Sequence, residues 1–98
     1  MGGAKRKSPK RLPAKLRLIR EALNYTQEEM VKRLGLEGKV PRSYLSRFEN
    51  GAREPPLEIL LRYSEIAGVW INALVDDGVD LPEKLPRGKM HEGVKRKR

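Results

Sequence analysis

Thr26 and Glu29 stand three residues apart, directly ahead of the apolar positions Met30, Val31 and Leu34. This is a capping box: the threonine hydroxyl takes the amide of the third helical residue, the glutamate reaches back to the threonine amide, and two orphan donors are satisfied together. Tyr25 and Met30 flank it as a hydrophobic staple, which sets the angle at which the chain enters the helix. Upstream, Leu16, Ile19 and Leu23 form one helical stripe, Pro13 suits a helix start, and Asn24 tolerates the left-handed conformation of a helix end. A first helix over about 13–23 must therefore meet a second, short one across a tight turn, and Gly35 ends the second.

The rest of the chain is punctuated in the same way. Residues 35–41 read as a loop containing Gly38 and Lys39, after which 42–50 resumes helical spacing with Leu45 and Phe48 inward. Asn50-Gly51 closes this third helix and Pro55-Pro56 opens a fourth, whose expected inward stripe is Leu57, Leu60, Leu61 and Ala67 before Gly68 stops it. A short fifth helix over Trp70–Val75 precedes Asp76-Asp77-Gly78, and Asp76, Asp77 and Asp80 read as an exposed turn in preference to a loose cation site. The expected architecture is all-α with five helices: a domain at 13–78, a basic arm at 1–12, and an extended segment with a basic tail at 79–98. A core this small supplies no more than roughly 3–5 kcal/mol by itself, so a homodimer is a reasonable expectation.

Charge is laid out in blocks. Residues 1–20 hold eight Lys or Arg and no acid, 84–98 hold seven against the single acid Glu92, and 21–83 hold seven against twelve acids. The net charge of +9 thus sits at the ends, around an acidic middle. The ends are too poor in apolar residues to order themselves and are expected to be disordered basic arms. Such arms suit a polyanion, because each neutralised phosphate releases a counterion and adds affinity independent of sequence. They suit plain solubilising tails as well.

Other classes are disfavoured. Neither arm is an amphipathic helix and no apolar run approaches the ~20 residues of a membrane span, so no membrane role is expected. No cysteine is present, which excludes disulfides, thiolate ligands and thiol nucleophiles. His91 is the lone histidine, and neither metal-ligand spacing nor a glycine-rich phosphate loop occurs. The chain is read as a non-enzyme without metal or cofactor. The basic N-terminus is followed by no signal-peptide-like apolar core, so a cytoplasmic, nucleoid-associated location is expected.

Two short helices joined by a turn and followed by an exposed polar helix are the layout of a helix-turn-helix, a layout that many small helical bundles share. The blocks Thr26-Gln27-Glu28-Glu29-Met30, then Ser43-Tyr44-Leu45-Ser46-Arg47-Phe48-Glu49-Asn50-Gly51, then 55–69, resemble in their order the lambda-repressor-like, Cro/repressor-type helix-turn-helix family. The resemblance spans about 16–75 and implies double-stranded DNA as partner, with the third helix in the major groove and a role in transcriptional regulation. Arg42, Ser43 and Arg47 match the base-reading positions, and arginine is shaped to take guanine O6 and N7 together. The bland alternative for them is a wet helix face. Gln27 matches a phosphate contact at the first turn of the second helix.

The resemblance also implies backbone contacts from Asn50, with Tyr44 and Ser46 beside the reading face and with Arg53 and Lys39 in support, although Tyr44 equally suits covering the domain's own surface. Glu49 would repel phosphate if it faced the groove. The resemblance turns it inward to an arginine of the first helix, and Arg20 stands at the matching place as its partner in a structural ion pair.

Two departures from the family pattern bear on docking. The turn between Gly35 and Arg42 is several residues longer than usual, and Pro41 and Trp70 stand where a Ser or Thr cap is common. Trp70 either covers the small core, the slightly favoured reading, or serves as an interface residue in a dimer joined through residues 69–81. A rival reading makes the arms dominant, in an RNA-binding or ribosome-associated protein whose helical body docks another protein. An antitoxin-like repressor with a protein partner shares the DNA step.

Overall fold

The computed structural model describes residues 9–86; the greater part of both expected arms, 1–8 and 87–98, lies outside the described residues. Among the described residues there are five helices and no strand: α1 Leu12–Ala22, α2 Gln27–Arg33, α3 Arg42–Asn50, α4 Leu57–Ala67 and α5 Asn72–Val75. The all-α, five-helix expectation agrees with this. α1 runs through the middle of the bundle and packs against α3, α4 and α5, while α2 packs against α3.

Local chemistry explains the boundaries. Asn24 takes a φ of 61°, ending α1 as its short polar side chain allows. The capping box is formed: Glu29 N–H donates to Thr26 Oγ1 at 3.0 Å, and Thr26 N–H donates to Glu29 Oε1 at 2.8 Å. α3 and α4 end on Gly51 and Gly68, both left-handed.

Leu12, Leu16 and Ile19 of α1 and Leu23 just after it are buried with Met30, Val31 and Leu34 of the α2 segment and with Leu45 and Phe48 of α3. The inward face of α4 differs from the expected stripe. Ile59, Leu60, Tyr63, Ser64 and Ala67 are buried, whereas Leu57 and Leu61 are exposed. Tyr63 fills the centre of the core with no exposure. At about 100° per residue it lies on the far side of the helix from Leu57 and Leu61, so one choice precludes the other.

Trp70 also departs from its favoured reading. It is 55% exposed, between buried Val69 and the helix that buries Ala73 and Leu74, and does not cover the core. The first turn of α5 is closed by the Ala73 amide donating to the Trp70 carbonyl at 2.9 Å.

Lys15 is 2% exposed in the α1 face that meets α5. Its ammonium donates to the carbonyls of Ala73 at 2.8 Å, Asp76 at 2.9 Å and Val79 at 2.6 Å. Three donors meet three acceptors, so this charge closes the end of α5 and the turn after it. Burial first, and then the Arg11 charge, pull the group below the usual lysine range, against Asp77, Asp76 and Asp80. Val79, Leu81 and Leu85 lean on the core beyond this turn.

The turn is not a bare surface feature. Arg11, the residue ahead of α1, has no side-chain cap of its own. Instead the Asp77 carboxylate accepts the Arg11 and Lys10 amides, both at 2.9 Å, from across the sequence. Arg11 in turn donates to the Asp77 carbonyl and to Asp80, both at 2.6 Å.

Candidate nucleic-acid interface

α3 offers one polar arc to solvent. Leu45 and Phe48 fix its inner side, being 1% and 3% exposed. Arg42, Ser43, Arg47 and Asn50 are exposed and Ser46 is half-buried. At about 100° per residue these five positions fall within an arc of about 140°, broad enough to meet base edges and both groove walls. Tyr44 is half-buried and packs against the core at the arc's edge.

The helix is held from behind by a chain of polar contacts. Arg20 Nε donates to Glu49 Oε2 at 2.7 Å and Arg20 Nη2 donates to Glu49 Oε1 at 3.1 Å, the two-pronged geometry that suits a guanidinium and a carboxylate. Arg20 Nη1 donates to the Tyr25 carbonyl at 2.9 Å, in the turn before α2. Gln27 Nε2 donates to Glu49 Oε1 at 3.4 Å. One carboxylate on α3 thus links α1 and the start of α2; it stands at the edge of the exposed arc, beside Arg42 in the helical order, and its pairing with Arg20 leaves it only 5% exposed. Its hydrogen bond, chiefly, raises the Arg20 guanidinium above the usual arginine range. Gln27 stands at the α2–α3 junction, where the acids Glu28 and Glu29 occupy the same first turn.

The long turn between α2 and α3 is built rather than slack. The Leu36 amide donates to the Val31 carbonyl at 3.0 Å, and Lys39 and Val40 both donate to the Leu36 carbonyl, at 2.9 and 3.2 Å. Leu36 packs against the core and Gly38 takes a φ of 79°, so the extra residues form a closed turn that carries exposed Lys39. Pro41 precedes α3 with extended backbone and no side-chain cap. Glu37 shares a cleft with Arg42, and pairs with Lys32 only across 3.9 Å in an exposed setting.

At the other end of α3, Asn50 Oδ1 accepts the Ala52 amide at 2.9 Å, which shapes the turn. The Arg53 guanidinium stacks over the Tyr44 ring at 4.4 Å. Stacking occupies the flat face of that group and orients its in-plane donors.

Sequence reasoning missed Lys10, Lys15 and Asp77. None has a local signal, because their partners lie 58 to 67 residues away. No group of three His, Cys, Asp or Glu residues suited to a metal occurs among the described residues, and no described helix is long and apolar enough to cross a membrane.

A profile of the helix-turn-helix family matches residues 16–69, from within α1 to just past the end of α4. Nothing among curated proteins or solved structures matches the chain significantly.

Proposed function

Because the chain belongs to the lambda-repressor/Cro-like helix-turn-helix family, a family of DNA-binding proteins that are typically transcriptional regulators, we propose that it binds double-stranded DNA sequence-specifically, as a transcriptional regulator acting at the nucleoid. α3 enters the major groove, Arg42, Ser43 and Arg47 read base edges, and the remaining polar groups hold the backbone.

The observation that supports this best is the division of α3 into two faces. The side chains that suit base readout are exposed together, while the one acid of the helix, Glu49, is drawn back onto Arg20. Gln27, Tyr44, Ser46, Asn50, Arg53 and Lys39 surround that face and take phosphates in this reading. A homodimer through α5 and its flanking segment belongs to it too, supported by the exposure of Trp70 at 55%. Half-sites would then lie about 34 Å apart.

Competition binding tests the polymer. Duplex DNA is expected to displace labelled duplex far better than structured RNA of matched length at the same salt. Equal displacement by RNA, unaffected by Arg42→Ala and Arg47→Ala, would sink the DNA reading in favour of arm-driven RNA binding.

A further inference from the structure

The start of α1 and the end of α3 meet. A Cβ added to Gly51 would stand 3.4 Å from Pro13 Cγ, so the two chain segments lie about one side-chain atom apart. Between them lies an open cleft of about 550 Å³ whose rim includes Pro9, Lys10, Asn50, Gly51, Arg53 and Glu54. Two cations and an amide face one acid around it.

What sets Lys10 at this rim is not its neighbours in sequence. Its amide, with that of Arg11, is held by the Asp77 carboxylate at 2.9 Å. Asp77 is fixed in turn because Arg11 grips its carbonyl, and because Lys15 takes the carbonyls on either side of it, Asp76 and Val79.

We propose that Asp77 is a positioning residue for DNA-backbone binding: by clamping the Lys10 amide it holds Lys10 at the cleft beside Asn50 and Arg53, where Lys10 and Arg53 take phosphate together. This inference rests on the DNA-binding reading above. It makes an unusual demand of sign. Removing an acid raises the net charge and by bulk electrostatics tightens binding to DNA, whereas removing this acid loosens a cation from its phosphate and weakens binding.

The test is the salt dependence of binding to a mixed-sequence DNA duplex by the full chain, over ~0.05–0.2 M salt, where each lost phosphate contact lowers the slope of log affinity against log salt by about 0.9. Lys10→Ala is expected to lower the slope by about that amount. Asp77→Asn is expected to weaken binding several-fold and lower the slope in the same direction, while the charge-matched control Glu83→Gln binds as tightly as the unmodified protein or more tightly. Asp77→Asn binding like Glu83→Gln would overturn the proposal. So would an unchanged slope in Lys10→Ala, a variant that keeps the clamped amide and removes only an exposed side chain. A wild-type chain that binds no duplex would overturn this inference and the DNA reading together, which distinguishes the two failures.

Discussion

Arg20 and Glu49 form a two-pronged ion pair between α1 and α3, with Nε to Oε2 at 2.7 Å, in which the side chains are 16% and 5% exposed. With so little exposure the pair matters less for its own attraction than for what remains when one partner goes. Arg20→Ala strands a carboxylate with the Gln27 amide as its remaining side-chain partner, at a cost of about 3 kcal/mol or a melting temperature lower by 10 °C or more. Replacing both with apolar residues, Arg20→Met with Glu49→Leu, should recover much of that loss. Thermal unfolding of the three proteins decides it, and an Arg20→Ala protein as stable as wild type would contradict the account.

Lys15→Met keeps the buried stem and removes three hydrogen bonds to the carbonyls of Ala73, Asp76 and Val79. The expected loss is roughly 2–4 kcal/mol. Hydrogen exchange should show the effect concentrated in the amides of α5 and the following turn, since those carbonyls close that end of the domain. A uniform loss of protection across α2 and α3 would mean that Lys15 acts by general packing instead.

Tyr63 presents the opposite case. Its side chain is fully buried and its hydroxyl has no hydrogen-bond partner among the described residues. Burial pushes the phenol well above its usual range, with the Glu49 charge adding to the push and Arg20 opposing it. Tyr63→Phe deletes an unsatisfied polar atom and keeps the ring, so stability should be unchanged or higher by up to about 1 kcal/mol. A drop of more than about 1 kcal/mol would show that the hydroxyl does bond in solution.

Asp77 predicts the acid limb of the stability curve. The Arg11 amide first, and the Lys10 amide second, hold its carboxyl below the usual carboxylate range. Its folded value is therefore lower than its unfolded value, near 3.9, and the unfolded chain binds more protons between the two. The contribution is whole above the unfolded value and disappears as pH falls through the folded one. Melting curves of wild type and Asp77→Asn should differ by a constant amount above about pH 5 and converge toward pH 2. A gap that persists unchanged to acid pH would contradict the clamp.

Much of this fold was legible because the helix stops and starts are written in local chemistry. Asn24, the Thr26–Glu29 box, Gly51 and Gly68 each do at short range what their residue types permit. α4 reads out of phase from its leucines, because a stripe drawn through Leu57, Leu60 and Leu61 does not register that one tyrosine, Tyr63, fills the core. The polar face of α3 was visible from the spacing of Leu45 and Phe48. By contrast, Lys15 looks like an ordinary basic residue of the first helix and Asp77 like a member of an acidic turn. Their roles arise from contacts that close only when the first and last parts of the domain meet.

The central claim is that α3 reads base sequence. Selection of bound sequences from random duplex DNA at physiological salt, run in parallel on the full chain and on the Arg42→Ala/Arg47→Ala variant, tests it most directly. An enriched motif is expected for the full chain and should vanish in the variant, while salt-sensitive, sequence-independent binding survives. No enrichment from the full chain, or the same motif from both proteins, would contradict it.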